Sequence, residues 1–271
     1  MRAPAVSGRF YPGTRDELAS TVRELLERVP DAVPAPARGA LVPHAGYLYS
    51  GFTAACVFAR LTIPPIVVIL APNHSGVCRG PGGASLWEEG AFRTPLGDVS
   101  VDEHFAALLL GTSPLVGTDH EAHRAEHAIE VQLPFLQTLR PDVRIVPIVL
   151  AWDKWAACRE LGLALARLIA ASAEPVLLLA SSDLNHYEPA TVSEEKDAAA
   201  LAAFCTLDGE DLLNRCHRGP ISMCGRAPAA AVAAAARTLG AMRGAVVDYR
   251  HSGWVTGDER AVVGYGGVVI A

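Results

Sequence analysis

The sequence has no run of basic residues, and its 271 residues carry a formal net charge of −6. Proteins that bind nucleic acids cluster Lys and Arg to neutralise phosphates, so no nucleic-acid partner is expected. The longest apolar stretches, such as residues 66–71 and 176–180, are far too short to cross a bilayer. The first residues lead into mixed polar sequence without the apolar core of a secretory signal. We therefore expect a cytoplasmic protein with no membrane partner.

Paired cysteines and aromatic side chains are also scarce. The six cysteines are scattered without any CxxC pair, which argues against a disulfide framework and favours buried, unpaired thiols. Aromatic residues make up 6% of the chain although 51% of it is hydrophobic. Much of the apolar content is alanine, which favours closely packed helices over a core built on aromatic rings.

Several familiar catalytic motifs are missing as well. There is no GxGxxG, no Walker A motif and no GxSxG, so nucleotide-binding and serine-hydrolase functions receive no support. Residues 119–130 hold three histidines but lack the HExxH spacing of zinc proteases. If this segment is helical, His127 shares a face with Glu130, and both become candidates to support a site. The alternative is the charged start of a helix, where the helix dipole favours Glu126.

Apolar strands alternate with helical patterns along the chain. Strands are predicted near residues 40–42, 66–70, 143–150, 175–180, 245–249 and 261–270, a long loop over 75–98, and a helix over 127–139. This alternation predicts an α/β fold, a single domain over residues 1–271 with a mainly parallel central sheet flanked by helices. Pro147 indicates an irregularity or an edge position in its strand.

Three of the predicted strands are closely followed by a histidine: His44, His74 and His186. Ligands of open parallel sheets bind outside the carboxyl ends of the strands, and parallel strands share that edge. One such histidine is usually an ordinary polar residue, but three of them predict a shared cleft. Neutral imidazole both binds metals and exchanges protons near pH 7, so the two roles stay open for these side chains.

Two further side chains near these strand ends are candidates. Asp183 either orients the imidazole of His186 or bonds its own backbone in a turn. Cys224 precedes an alanine-rich helix, where a thiol is expected to have a lowered pKa and to bind a metal or act as a nucleophile. The alternative for Cys224 is a buried small residue. Gly225 after it permits a close approach of the backbone.

Short motifs run in order along nearly the whole chain: AVSGRFYP (residues 5–12), VPHAGYLYSG (42–51), PNH (72–74), RTPLG (93–97), EHAIE (126–130), LPF (133–135), SSDLNH (181–186) and CGR (224–226). This series resembles that of the MEMO family (mediator of ErbB2-driven motility), also called AmmeMemoRadiSam system protein B. The fold of that family is similar to that of class III extradiol (LigB-type) dioxygenases. The resemblance therefore implies a LigB-dioxygenase-like fold.

The same resemblance implies a metal pocket at the strand edge. LigB-type dioxygenases hold Fe(II) with two histidines and a carboxylate, and His44 and His74 match the two histidine ligands. Cys224 matches a MEMO pocket cysteine that stands where the dioxygenases have the carboxylate. Because thiolate also suits copper, the implied cofactor is Fe(II) or copper. His186 matches the acid–base histidine, with Asp183 as its catalytic neighbour.

Other residues and partners follow from the same resemblance. Asn73 and Tyr47 lie in the matching motifs and join His127 and Glu130 as candidates to contact substrate or to support the metal ligands. Prokaryotic members of the family occur beside AMMECR1-type and radical SAM proteins, which implies a shared modification pathway.

Three functions compete on these grounds. The first is a non-haem iron or copper oxidoreductase, dioxygenase-like, that acts on a small-molecule or peptide substrate. The second is a non-catalytic peptide- or partner-binding module that retains the dioxygenase-like pocket, with Tyr47, Tyr49 and Trp87 as aromatic contacts. The third is metal-assisted hydrolysis, since the same ligands would activate water on zinc.

Overall fold

The computed structural model describes residues 1–80 and 82–271. Its strands are β1 (Gly39–Val42), β2 (Ile66–Pro72), β3 (Ala84–Leu86), β4 (Ala91–Thr94), β5 (Gly97–Val101), β6 (Val116–Thr118), β7 (Arg144–Leu150), β8 (Val176–Ser181), β9 (His186–Glu188), β10 (Gly244–His251) and β11 (Val262–Ile270). Its helices are α1 (Arg15–Glu27), α2 (Tyr47–Phe58), α3 (Glu103–Thr112), α4 (Glu121–Arg124), α5 (Leu133–Leu139), α6 (Trp155–Ala171), α7 (Ala190–Cys205), α8 (Gly209–Arg218), α9 (Arg226–Thr238) and α10 (Gly253–Thr256).

One mixed sheet runs through the molecule in the order β10-β11-β1-β8-β2-β7-β3-β6. Its central strands β1, β8, β2 and β7 are mutually parallel. Towards the edges, β11 pairs with β1 antiparallel, β10 pairs with β11 antiparallel, and β3 pairs with β7 antiparallel. The predicted α/β class is confirmed, and the parallel arrangement holds for the strands at the centre of the sheet.

Helices cover the central strands, which are buried along almost their whole length. Helices α1, α2 and α5 contact one another, and α2 packs on β1, β10 and β11. The alanine-rich α9 packs on α6 and on β1, β2 and β8. Gly162 of α6 lies so close to α9 that a Cβ there would sit 2.7 Å from the carbonyl oxygen of Ala231. Small side chains therefore let the helix layer pack tightly, as the composition predicts.

Two predicted elements were wrong. The loop expected over residues 75–98 contains β3, β4 and the start of β5, because short strands there pair with β7 and with each other. The helix expected over residues 127–139 reaches only from Leu133, preceded by a 3₁₀ turn at Glu130–Gln132. His127 consequently lies in irregular chain between α4 and α5.

Pro147 lies inside the sheet and not at its edge. It pairs in register with Ile69 of β2, and on the other side of β7 the partner changes from β5 to β3 around it. The missing N–H of proline is thus tolerated where one partner strand gives way to the next, which is the irregularity that the sequence predicts.

The topology brings the predicted site together. Strands β1, β8 and β2 are immediate neighbours and parallel, so the chain segments after their carboxyl ends emerge at one edge of the sheet. Among the residues that the structure describes, no helix is long and apolar enough to cross a membrane.

Candidate metal centre

Three histidines converge at this edge. One ligand nitrogen from each of His44, His74 and His127 lies within 4.8 Å of the others. The ring centroids are 5.1 Å apart for His44 and His74, 5.4 Å for His44 and His127, and 4.7 Å for the stacked pair of His74 and His127. We call these three residues the histidine triad. It joins the segments after β1 and β2 to the irregular segment before α5.

The tautomer of His44 follows from its neighbours. Its Nδ1 lies 2.9 Å from the hydroxyl of Ser181. That hydroxyl donates its one proton to the carbonyl of Ala128, at 2.7 Å, and accepts a hydrogen bond from the side-chain amide of Gln132 at 3.0 Å. Ser181 therefore accepts from His44, whose Nδ1 carries the proton, and the Nε2 lone pair is left open. The Sγ of Cys224 lies 3.2 Å from this Nε2.

His74 is held by a buried carboxylate. Glu126 accepts the backbone N–H of His74 at 2.7 Å and contacts its Nδ1 at 2.9 Å. Burial disfavours charge on His74, but the hydrogen bond and the negative charge of Glu126 outweigh it and raise the pKa of His74. A carboxylate on one ring nitrogen leaves the other nitrogen free and more basic, which is the usual support for a metal-binding histidine.

The remaining triad members favour the neutral form. Burial lowers the pKa of His44 well below its ordinary value, and the neighbouring histidines lower it further. Burial also lowers the pKa of His127, although Glu126 opposes the shift from 3.6 Å. The ring of Phe10 packs edge-on against His127 with centroids 4.9 Å apart. Neutral, oriented imidazoles are the form in which histidine binds metals.

The chemistry of this donor set fits a transition-metal ion. Imidazole nitrogens suit iron, copper, zinc and nickel, and a thiol beside them adds a soft donor. At least two of the three rings are oriented by a hydrogen bond that Nδ1 donates, to Ser181 from His44 and to Glu126 from His74. Such outer partners fix ring direction and tautomer before any ion arrives.

Cys224 lies beside the triad, next to His44, and α9 begins two residues later. Burial raises the pKa of its thiol, and the negative charge of Asp183 adds to the effect. The lowered pKa expected from the helix start is therefore wrong, because burial outweighs the hydrogen bonds to Asp183, Ser182 and Gly225 that lower it. The predicted close approach at Gly225 is confirmed: a Cβ there would lie 2.3 Å from the carbonyl oxygen of Ser181.

Asp183 does not orient the imidazole of His186, so that interpretation was wrong. Its carboxylate turns back towards β1 and accepts the backbone N–H of His44 at 2.7 Å, with a further backbone bond from Ala45. Burial raises the pKa of Asp183 to about 7 in spite of these donors. The His186 ring is held instead by backbone groups, the carbonyl of Ser222 and Leu184. Asp183 thus fixes the backbone that carries His44.

His186 lies on the same edge, at the start of β9. Among the residues that the structure describes, no hydrogen bond or ring contact joins it to the histidine triad. It is nevertheless within electrostatic range, since a charge on His186 lowers the pKa of His44 and a charge on His74 lowers that of His186. Burial is the largest cause of the lowered pKa of His186.

Glu130 anchors the N-terminal segment, and its negative charge also acts on His127, whose pKa it raises against the effect of burial. Its buried carboxylate accepts the backbone N–H groups of Ala5 and Val6 at 2.7 and 3.0 Å and the hydroxyl of Tyr11 at 2.5 Å. It also pairs with the buried guanidinium of Arg2. The shared helical face expected for His127 and Glu130 does not form, because the chain between them is not helical.

The other predicted contact residues organise local structure. Asn73 accepts from Ser75 at 2.8 Å and donates to the carbonyl of Val77 at 2.6 Å, which shapes the loop after His74. Tyr47 is buried, and its hydroxyl donates to the carbonyl of Val131 at 2.7 Å.

The aromatic side chain of Trp87 is also unavailable to a partner. It is buried, stacks on His120 with centroids 4.0 Å apart, and donates its N–H to the carbonyl of Glu89. Of the three aromatic contacts expected for a binding module, Tyr49 is the one that is partly exposed. His123 is likewise buried, with Nε2 on the carbonyl of Ser85, and it does not join the triad.

Three residues at the centre were not found among the predicted site residues: Glu126, Ser181 and Gln132. Glu126 precedes His127 in the EHAIE motif, and an acid beside a histidine was the available signal. Ser181 and Gln132 act through hydrogen bonds to residues far along the chain. Nothing local in the sequence marks such partners.

Fold and site together define an α/β protein with a candidate histidine metal centre at the carboxyl edge of its parallel strands. Comparison with known proteins identifies the family of this chain. The family described as "Memo-like protein" matches residues 2–269. The chain belongs to this family, as its motifs indicate.

Relatives match over their full length. The chain is 39% identical to a MEMO1 family protein of Methanosarcina barkeri over 100% of both chains. It is 40% identical to a MEMO1 family protein of Aeropyrum pernix over 98% of each chain. A crystal structure of the uncharacterized protein JW3007 from Escherichia coli K12 is similar with a TM-score of 0.58 and 17% identity, covering 86% of this chain and 99% of that one. At that identity the likeness shows the fold alone.

Proposed function

We propose that this MEMO-family protein is a non-haem metal-dependent redox enzyme, dioxygenase-like, that uses Fe(II) or copper. The observation that carries the proposal is the convergence of three imidazoles on one point, with ligand nitrogens within 4.8 Å of one another. Their nitrogen donors suit both metals, and a soft sulfur donor stands beside them. His44, His74 and His127 would hold the ion, and Cys224 offers a fourth donor from its position 3.2 Å from His44.

A bound iron or copper ion would supply Lewis acidity and one-electron chemistry with O₂. The residues of the chain have their own tasks around it. Glu126 and Ser181 keep His74 and His44 oriented, so that little reorganisation is needed on binding. His186 accepts a substrate proton at Nε2, since its Nδ1 already donates to a carbonyl. Asp183, with a pKa of about 7, holds the backbone of His44.

Metal analysis tests the proposed centre. The protein is purified without O₂, stripped, reloaded with Fe(II) or Cu(I), and its metal content is measured per chain. We expect His44→Ala and His74→Ala to lose the bound metal, whereas His104→Ala, at an exposed position on α3, keeps it. Unchanged metal content in both triad variants would refute the metal centre.

Oxygen uptake tests the redox chemistry separately. The Fe(II)-loaded protein is mixed with catechol as a probe, and O₂ consumption is recorded with an electrode. Uptake that needs both the metal and catechol supports a dioxygenase-like activity. Turnover of a substrate that continues without O₂ would instead favour metal-assisted hydrolysis on the same ligands.

The proposed modification pathway is inferred from the family to which the chain belongs. Occurrence of prokaryotic members beside AMMECR1-type and radical SAM proteins supports the proposal that the substrate belongs to a shared modification pathway. Co-purification of the tagged protein with either partner from its native cells tests this. Absence of both from the purified material would count against a physical complex.

A second candidate function, binding of a peptide or partner, is favoured by a cleft of about 590 Å³ beside the triad. Phe10 links the two regions, because it lines the cleft and contacts His127. The guanidinium groups of Arg28 and Arg250 lie 5.2 and 4.1 Å from the ring centroid of Phe52, which also lines the cleft. Arginine and aromatic side chains together suit an acidic peptide.

Fluorescently labelled oligoglutamate and oligolysine peptides serve as probes for this alternative. If the protein is a binding module, oligoglutamate binds the metal-stripped protein and its His44→Ala variant equally well. Arg250→Ala should then weaken binding, whereas Arg243→Ala, at an exposed position outside the cleft, should not. Equal weak binding of both peptides would count against the module.

A further inference from the structure

His186 makes two hydrogen bonds to Ser222, and its ring also bonds the backbone of Leu184. The backbone N–H of His186 donates to the hydroxyl of Ser222 at 2.7 Å, and its Nδ1 lies 3.1 Å from the backbone carbonyl of the same serine. A carbonyl oxygen can only accept, so Nδ1 must carry the proton. The Nε2 of His186 therefore presents a lone pair in the neutral ring.

Ser222 is in turn held by Asn185. The Oδ1 of Asn185 accepts both the backbone N–H and the hydroxyl of Ser222, each at 3.0 Å. Its Nδ2 donates to Glu188 at 2.6 Å and to Ser193 at 3.1 Å. Because a backbone N–H can only donate, the amide of Asn185 has one possible orientation. Its oxygen faces Ser222, and its nitrogen faces away from His186.

Asp197 on α7 fixes the other side of Asn185. Its buried carboxyl accepts the backbone N–H of Asn185 at 2.7 Å and the hydroxyl of Tyr249 at 2.8 Å. Gly264 of β11 makes room for it, since a Cβ there would lie 1.8 Å from Oδ2 of Asp197. Gly264 also donates its N–H to the carbonyl of Asn185 at 2.9 Å. Asp197 of α7 and Gly264 of β11 therefore both hold the backbone of Asn185.

We propose that Ser222, Asn185 and Asp197 are positioning residues that hold His186 as the Nδ1–H tautomer, with Nε2 open as a proton acceptor. The catalytic meaning of this inference rests on the proposed function, but the tautomer itself does not. In the acid–base step, a substrate O–H or N–H bond breaks, its proton forms a bond to Nε2, and the electron pair stays with the substrate. The resulting imidazolium keeps its bond to the Ser222 carbonyl.

The arrangement also couples His186 to the thiol. Ser222 lies two residues before Cys224, so the bonds that orient the imidazole also fix the start of the segment carrying the sulfur. Asn185 and His186 are neighbours in the SSDLNH motif. Their side chains are nevertheless connected through Ser222, which lies 37 residues away from Asn185. Asn185 and Asp197 are buried with their hydrogen bonds made, and a satisfied polar network of this kind specifies one geometry.

The tautomer is measured on the full chain without metal, so that a failure of the proposed function does not affect the result. Protein labelled with ¹⁵N-histidine is studied by long-range ¹H–¹⁵N NMR at pH 8, and the His186 signals are assigned with His186→Gln. We expect the wild type to show the Nδ1–H tautomer in at least about tenfold excess, because the bond to the carbonyl selects it. Ser222→Ala and Asn185→Ala should reduce that excess several-fold.

Two matched variants make the test specific. Ser193→Ala removes a partner from the nitrogen side of the Asn185 amide, off the route to His186, and should leave the tautomer ratio unchanged. Ser222→Thr keeps the hydroxyl at an exposed position and should restore the wild-type ratio. An unchanged ratio in Ser222→Ala would overturn the proposal, and so would an equal loss in Ser193→Ala. Should Asn185→Ala fail to fold, the two Ser222 variants decide the question.

Discussion

The histidine triad and His186 stand at the same edge of the sheet, but they are supported by different chemistry. On the triad side, an ionised carboxylate holds His74: burial opposes its charge, yet the bonds from His74 and from the backbone of Ala128 keep the pKa of Glu126 lowered. On the other side, a neutral backbone carbonyl holds His186. Asp197 supports that arrangement by accepting the backbone N–H of Asn185, and burial raises the pKa of its carboxyl to about 6.

This difference suits two roles. A negative charge on the far nitrogen makes an imidazole a better donor to a cation, so His74 is prepared for a metal. A neutral carbonyl fixes the tautomer of His186 without adding negative charge, which leaves the pKa lowered by burial and the ring free to exchange a proton. One strand edge therefore carries both a ligand set and a proton acceptor.

The largest expected effect concerns the third metal ligand, for which the imidazole of His127 and the thiol of Cys224 compete. His127→Ala should weaken metal binding by more than about 100-fold, beyond the loss typical of an outer partner. Cys224→Ala should cost less, because the three imidazoles remain. Isothermal titration of each stripped variant with Fe(II) under argon measures both affinities. If Cys224→Ala loses more affinity than His127→Ala, the sulfur belongs to the ligand set in place of His127.

The buried carboxyl of Asp197 predicts a pH effect on stability. Its pKa rises from 3.8 to about 6 on folding, so the folded state binds the proton more tightly than the unfolded state. Stability from this group is complete below about pH 4 and is lost as the pH rises to 6, by roughly 3 kcal/mol. Asp197→Asn keeps an acceptor for Asn185 and removes the titration.

Urea unfolding of the metal-free wild type and of Asp197→Asn between pH 4 and pH 7.5 tests this prediction. The variant should gain on the wild type as the pH rises, and the gap should stop growing above about pH 7. Shifts from other titrating groups occur in both proteins and cancel in the difference. A gap that is the same at every pH would show that Asp197 ionises normally in the folded protein.

The close approach of Gly225 to Ser181 predicts the next effect. Gly225 lets the start of α9 lie against Ser181, and a Cβ at 225 would meet that carbonyl oxygen at 2.3 Å. Gly225→Ala should therefore destabilise the fold by about 2–3 kcal/mol through overpacking. Gly111→Ala in α3 is the control, since a Cβ there meets nothing within 4 Å and alanine favours a helix. Equal unfolding midpoints for Gly225→Ala and the wild type would contradict the close approach.

The sequence predicts those parts of the fold that depend on continuous local patterns. The central strands are uniformly apolar, so their positions and the shared edge of His44, His74 and His186 follow from periodicity and parallel pairing. Strands β3, β4 and β5 could not be predicted from such patterns, because they are three to five residues long in a region rich in glycine and proline. Their pairing is decided by β7 and by each other, which no local pattern reveals.

The site shows the same division. The histidines are visible because they follow strands, but their supports come from remote segments. His127 leaves the predicted helix because Arg2 takes the carbonyls of His123 and Glu126, while Glu130 binds the N-terminal segment. These bonds join residues more than 120 positions apart. Helical periodicity cannot anticipate backbone groups that are satisfied by the far end of the chain.

The smallest expected effect tests the charge behind the triad. Glu126→Gln leaves one oxygen and one amide nitrogen where two carboxylate oxygens accept from the backbone and ring of His74. The lost charge makes His74 a weaker donor, so metal affinity should fall by about 10- to 100-fold. The corresponding change on the His186 side, Asp197→Asn, should leave metal affinity unaltered, because Asp197 is connected to His186 through Asn185 and Ser222 and bonds no triad residue among those described.

Titration of the stripped variants with Fe(II) compares the two directly. Glu121→Gln is the matched control, because Glu121 lies close by on α4 and pairs with Arg124 on the surface. The control should bind the metal as the wild type does. Equal affinities for Glu126→Gln and Glu121→Gln would mean that the carboxylate orients His74 without tuning it. An equal loss in Asp197→Asn would instead show that the two sides are one unit, and that the contrast between an ionised and a neutral support has no functional consequence.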